Sequence, residues 1–133
     1  MYSKRTIFDV GTYRCMSSIA LSYSGKNSVR SYDIRQDLPA NPIVPNVTYI
    51  IGDVRDDRLL VNSPFIFLDV AHDGTFENLF YNHLHDIGWK GILILDDIHL
   101  NEPMRKFWES ITEEKHDVTN IGHWSGTGIV LFE

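Results

Sequence analysis

Five short apolar runs, each closing on a carboxylate, constrain this chain more than any other feature. They are "TIFDVG" with Asp9 and Gly11, "SVRSYDI" with Asp33, "VTYIIGDV" with Asp53, "FIFLDV" with Asp69, and "GILILDDI" with Asp96 and Asp97. Runs of this length bounded by turn residues read as buried strands. The fifth is almost continuously aliphatic, as a strand covered on both faces requires.

Between the runs the period changes. Met16, Ile19, Ala20 and Tyr23 recur at i, i+3, i+4 and i+7 and predict a helix with these four on its apolar face, ended by Gly25. Phe76, Leu79, Phe80, Leu84 and Ile87 mark a second helix closed by Gly88. Met104, Phe107, Trp108 and Ile111 mark a third, with Pro103 tolerated in its first turn. "QDLPANPIVPN", with Pro39, Pro42 and Pro45, reads as a crossover loop, and "DDRLLVNS" supplies a turn or two before Pro64. The closing "DVTNIGHWSGTGIVLFE" reads as a hairpin of two β-rich runs around a Ser-Gly-Thr-Gly turn.

Alternating strands and helices predict a doubly wound α/β domain over residues 1–133, with a mostly parallel seven-stranded sheet and an antiparallel C-terminal hairpin. A chain of 133 residues is about one domain, and no repeat or linker divides it. The net charge of -6 gives no basic footprint for a phosphate backbone, so nucleic acid is not an expected partner. No apolar run is long enough to cross a bilayer, and the N-terminus lacks the apolar core of a secretory signal. With a single cysteine, Cys15, no internal disulfide forms. A cytoplasmic setting is expected.

In open α/β sheets ligands bind outside the carboxyl ends of the strands. Any one acid there serves as a solvated turn residue or a helix cap. Five acidic ends on one sheet edge repel one another, and hydroxyls, amines or a cation would offset that repulsion. His72, three residues beyond Asp69, titrates near neutrality and is a candidate general base; a solvated loop histidine, or one bonded to Asp73, is the plainer alternative. His99 is a second candidate, and His83 and His85 are placed on a solvated helix face.

"DVGTYRCMSS" resembles the first motif of class I S-adenosylmethionine-dependent methyltransferases, and "SYDI" resembles the ribose-binding acid of that family. "FIFLDVAHDGTFENLFYNHLHDIGWKGILILDDI" is similar to the metal-dependent O-methyltransferases, the group of catechol O-methyltransferase and the macrolide-sugar methyltransferases. The resemblance runs to the closing "GHWSGTGIVLF". It implies S-adenosylmethionine as cofactor, with Asp9 on the amino group of its methionine moiety, and Gly11 and the backbone amides after it near the carboxylate. Thr12, Tyr13 and Ser17 fall in the same segment, Asp33 on the ribose and Asp53 on the adenine amine. It further implies Mg²⁺ or another divalent cation on Asp69, Asp96 and Asp97, with His72 as the base. A second Asp that merely caps the next turn is the competing reading of "LDDIHL".

Two departures stand out. Cys15 replaces the motif's second glycine, and Thr6 starts the sheet without the lid helices that relatives carry before it. The substrate side is therefore expected to be open, or covered by another subunit in a homo-oligomer. The expected acceptor is a small-molecule or glycan hydroxyl, that of a sugar in a glycan or glycosylated natural product before that of a phenol or catechol. A nicotinamide-dependent oxidoreductase is disfavoured, because "GTYRCM" lacks the glycine triplet that brings backbone against pyrophosphate. A shortened, non-catalytic cofactor-binding or interaction domain is the remaining alternative.

Overall fold

The computed structural model describes residues 5–13, 15–35 and 43–133. Along the chain run β1 (Arg5–Val10), α1 (Met16–Ser22), β2 (Asn27–Asp33), β3 (Val47–Ile51), two 3-10 turns (Val54–Asp56 and Leu60–Asn62) and β4 (Phe65–Leu68). There follow α2 (Thr75–Asp86), β5 (Gly91–Asp96), α3 (Glu102–Ser110), β6 (Glu114–Asp117) and β7 (Thr127–Phe132). They form one seven-stranded sheet in the order β3-β2-β1-β4-β5-β7-β6. The pairs among β1 to β5 are parallel, and β7 runs antiparallel to both β5 and β6. This is the doubly wound α/β domain that the alternating periods predict. No helix among the described residues is long and apolar enough to cross a membrane. Pro39 and Pro42 of the expected crossover loop lie outside the described residues.

One face of the sheet carries the main core. Phe8 and Val10 of β1, Ile66 and Leu68 of β4, Leu93 and Leu95 of β5, and Val130 and Phe132 of β7 are buried with Phe80, Leu84, Phe107 and Trp108 of α2 and α3. Full burial of such side chains contributes about 1.5–3 kcal/mol each. In α2 the burial departs slightly from the expected stripe. Tyr81 and Glu77 turn inward and Leu79 is half-exposed.

The other face corrects the sequence reading of α1. Ser18 and Ser22 are its buried residues, and Met16, Ile19 and Tyr23 of the expected apolar stripe face solvent. The sheet beneath explains the inversion: Asp9 and Ser31, paired across β1 and β2, are both fully buried there. Small hydroxylated residues suit such a floor, since Ser18 Oγ and Ser22 Oγ are satisfied by the carbonyls of Cys15 and Ile19. Farther along this face, two register rows, Phe65–Ile92–Leu131 and Phe67–Ile94–Ile129, are only partly buried.

The C-terminal pair is antiparallel as expected, but its first strand lies earlier. β6 is the polar segment "EKHD", and residues 118–126 form a loop. Edge strands are commonly polar, which discourages edge-to-edge pairing, so β6 carries no apolar alternation by which to recognise it.

Candidate active site

The strand order reverses between β1 and β4, and their carboxyl ends come together there. Asp69 N–H donates to Val10 O at 2.9 Å, and a Cβ added to Gly11 would sit 1.6 Å from the Asp69 carbonyl oxygen. Gly11 also has φ +109°, a conformation that L side chains rarely adopt. The glycine is therefore required by the close approach of two strand ends. A cavity of about 520 Å³ opens at this point, with Val10, Val54, Val70 and Phe76 among its apolar walls and Asp33, Asp53, Asp69, His72 and Asp97 on its polar rim.

Asp33 ends β2 inside this cavity. One carboxylate oxygen accepts from Tyr13 N–H at 3.1 Å and the other from Arg35 N–H at 2.9 Å. Each oxygen keeps a further lone pair, so the fixed carboxylate can still accept from two hydroxyls. Asp53 also lines the cavity, yet its carboxylate is taken by Arg55: Nη2 lies 2.6 Å and Nε 3.0 Å away, and Asp53 caps the following turn through Arg55 N–H. The Arg55 side-chain bond holds the Asp53 carboxyl below its ordinary range. The guanidinium in turn sits 5.5 Å from the centre of the Phe76 ring.

The expected methionine end of the cofactor site is arranged differently. Asp9 is 0% exposed and does not line the cavity. Its Oδ2 accepts from Ser31 Oγ at 2.6 Å, Ser31 bonds Thr12 Oγ1 at 2.7 Å, and Oδ1 has no well-aligned partner. Burial pushes this carboxyl up to about 6, against the bonds to Ser31 and Ser17. Thr12, bonded to Ser31, and Ser17, in the first turn of α1, thus belong with Asp9 and do not line the cavity. The N–H groups of Gly11 and Thr12 both donate to Tyr32 O, at 2.8 and 3.0 Å, and that of Tyr13 to Asp33. The amides expected to meet a ligand carboxylate already have partners. Tyr13 and Gly11 do line the cavity.

At the ends of β4 and β5, His72 stands between two carboxylates. Its Nε2 is 3.1 Å from Asp69 Oδ1, and its Nδ1 is 3.3 Å from Asp97 Oδ2 without the alignment of a hydrogen bond. The bond to Asp69 raises the imidazole's affinity for its proton, and burial opposes this only in part. Both His72 and Asp97 adopt left-handed backbone, φ +58° and +61°. Non-glycine residues do so at a cost and persist where the surroundings hold them.

The structure brings the expected acids together in two overlapping sets: Asp69, His72 and Asp97, and Asp96, Asp97 and His123, each with ligand atoms within 4.8 Å of one another. Asp69, Asp96 and Asp97 do not form one set, since Asp96 ends β5 on the face opposite Leu95 while Asp97 turns toward His72. Burial and the charges of Asp69 and Asp97 raise the Asp96 carboxyl. His99 faces away, its Nε2 2.6 Å from Asp117. His85 pairs with Glu113 at 2.8 Å and packs on Tyr81, so it is not simply solvated.

Four further side chains shape the site. Glu77, buried in the first turn of α2, accepts His72 N–H at 2.8 Å. Asn101 caps α3 and holds the His72 carbonyl. Ser125 Oγ donates to Asp97, and His123 Nδ1 lies 3.6 Å from the same carboxylate. Asn101, just before a helix carrying Pro103, was recognisable as a cap; nothing in the sequence tied the other three to this place.

Neither a protein-family model nor a curated protein matches the sequence. Solved structures do. A Staphylococcus aureus protein provisionally assigned as a caffeoyl-CoA O-methyltransferase aligns over 97% of this chain and 76% of its own, with 14% identity and a TM-score of 0.66. A methyltransferase, also provisionally assigned, crystallised with SAH aligns over 97% and 45%, with 13% identity and a TM-score of 0.63. A provisionally assigned SAM-dependent methyltransferase of Streptococcus mutans covers the same shares with 13% identity and a TM-score of 0.58. The chain thus spans less than half the length of the latter two. At such identities the likeness speaks for the fold, which is the Rossmann-like fold of the class I methyltransferases.

Proposed function

We propose that the chain is an S-adenosylmethionine-dependent methyltransferase acting on a hydroxyl with the help of a divalent cation, Mg²⁺ or another. The observation that carries this reading is that Asp33 and the Asp69–His72–Asp97 set open into the same cavity. The residues suit the groups they would hold. Asp33 offers a fixed carboxylate to a ribose, and Val10, Val54 and Phe76 offer apolar walls to a purine. Asp69 and Asp97 offer hard oxygens to a cation, with Asp96 and His123 behind them.

When bound, the cofactor supplies a methyl group on a positive sulfur and the cation lowers the pKa of the acceptor hydroxyl. The chain's part is to align and to move a proton. Asp33 would hold the donor end of the cavity, Asp69 and Asp97 would hold the cation, and neutral His72 would take the hydroxyl's proton. The acceptor we favour is the hydroxyl of a sugar in a glycan or glycosylated natural product. Contact with a second copy on the substrate side of the site belongs to the same proposal.

A second reading has an observation of its own. The amides of residues 11–13 already bond Tyr32 and Asp33, which favours a domain that binds the cofactor weakly and does not catalyse. Calorimetric titration with S-adenosylmethionine, with and without Mg²⁺, followed by transfer of labelled methyl to candidate acceptors, separates the two. Micromolar binding with chelator-sensitive transfer supports the enzyme, binding without transfer supports the second reading, and no binding removes both.

A further inference from the structure

The loop joining β6 and β7 combines rigidity with exposure in a way that the proposed chemistry leaves unexplained. Ile121 and Gly122 N–H donate to Val118 O, His123 N–H to Thr127 Oγ1, Gly126 N–H to His123 O, and His99 N–H to Ser125 O. Ser125 is buried, with its hydroxyl on Asp97. Yet Trp124, the residue before it, is 80% exposed. The other two tryptophans, Trp89 and Trp108, are 2% and 9% exposed. A large ring carried into water by a hydrogen-bonded loop offers a wide apolar surface to a ligand.

Its neighbourhood says what kind of ligand. The His123 ring lies 5.8 Å from that of Trp124, and its Nδ1 is 3.6 Å from Asp97 Oδ1. The sequence Trp124, His123, Asp97 therefore runs from an exposed apolar surface to the acid cluster. A ring bearing hydroxyls at one edge and an apolar face beside it matches this order. We propose that Trp124 is the acceptor platform: it stacks on the apolar face of a ring whose two adjacent hydroxyls reach the Asp97 side of the site. This rests on the methyl-transfer reading above and adds to it the residue that seats the acceptor. The CH face of a sugar and the π-face of a catechol share this chemistry, and the experiment separates them.

The three tryptophans give three indole N–H resonances in a ¹H–¹⁵N spectrum, and Trp124 is assigned as the one lost in Trp124→Phe. The protein, with Mg²⁺ and S-adenosylhomocysteine whose binding is measured first, is titrated separately with methyl β-D-glucopyranoside and with catechol. The proposal expects the Trp124 signal to move saturably with one probe while those of Trp89 and Trp108 stay. It also expects Trp124→Ala to weaken that probe about tenfold, and Trp124→Phe to keep most of the affinity, with S-adenosylhomocysteine binding unchanged in both. A still Trp124 signal with both probes, in protein that binds S-adenosylhomocysteine, overturns the platform and leaves methyl transfer standing. Failure to bind S-adenosylhomocysteine overturns both. A signal that moves only with protein concentration makes Trp124 a contact between copies and overturns the platform as well.

Discussion

Asn101 holds His72 from across the sheet edge: its Nδ2 donates to the His72 carbonyl at 2.7 Å while its Oδ1 caps α3 by accepting Met104 N–H at 3.0 Å. Glu77 takes the His72 N–H. One left-handed residue is thereby gripped by the first turns of two helices, and its imidazole is aimed between Asp69 and Asp97.

This grip can be divided by substitution. Asn101→Ala removes cap and latch together and should lower stability by about 1–2 kcal/mol. Asn101→Asp keeps the cap oxygen but turns a second acceptor toward the His72 carbonyl. Urea denaturation should therefore find the Asp variant nearly as stable as wild type or modestly weaker, while methyl transfer falls in both. Wild-type activity in Asn101→Asp would show that the latch does not position His72.

Gly11→Ala should be the most damaging single methyl in the chain. The added Cβ has no room beside the Asp69 carbonyl, and positive φ compounds the strain. Either the β1–β4 junction opens or the fold is lost, at a cost of roughly 4 kcal/mol or more. Thermal denaturation checks this, and a fall in midpoint of only a few degrees would contradict the packing described.

The fold was largely legible because its signals are local. Strand runs and the turn glycines Gly11, Gly25 and Gly88 declare themselves by period and punctuation. What escaped depends on partners remote in sequence. The apolar spacing of α1 is real, but Asp9 and Ser31 beneath it select the serine face, and no helical period reports the floor on which a helix will lie. Likewise Asp33, Asp69, Asp97 and His72 were visible at strand ends, whereas His123 and Ser125 reach Asp97 only because β7 returns beside β5. That Asp53 is engaged by Arg55 and Asp9 sealed from the cavity are matters of side-chain direction, which spacing does not encode.

Asp9 should give stability a distinctive pH dependence. Its folded pKa of about 6 lies above the ordinary 3.8, so the folded state binds the proton more tightly than the unfolded chain does. Stability from this group is fully present below about 4 and is lost as pH rises through 6, on the order of 2–3 kcal/mol. Asp9→Asn should flatten that window and be the more stable protein at pH 7. Urea midpoints at pH 5 and 7 decide it; an unchanged wild-type slope in the variant would assign the effect elsewhere.

Metal and base should separate. Asp69→Asn should abolish turnover and weaken Mg²⁺ binding while cofactor affinity stays nearly intact. His72→Ala should keep both affinities and slow transfer about 10²- to 10⁴-fold. Because only the neutral ring accepts a proton, wild-type kcat should climb with pH as His72 loses its proton; the carboxylate of Asp69 raises that pKa in the metal-free protein, and a cation on Asp69 and Asp97 would oppose the shift. The His72 variant should lose that climb and recover partly at high pH. A chelator-insensitive wild type would contradict the division.

The most direct measurement is the calorimetric affinity of S-adenosylhomocysteine for wild type and for Asp33→Ala. Hydrogen bonds to a charged acceptor contribute about 1.5–3 kcal/mol, so removing the Asp33 carboxylate should weaken binding at least about tenfold. Asp9→Asn, buried away from the cavity, should bind within about twofold of wild type. Equal affinity in wild type and Asp33→Ala would mean that the cofactor does not occupy the cavity at the ends of β1, β2 and β4.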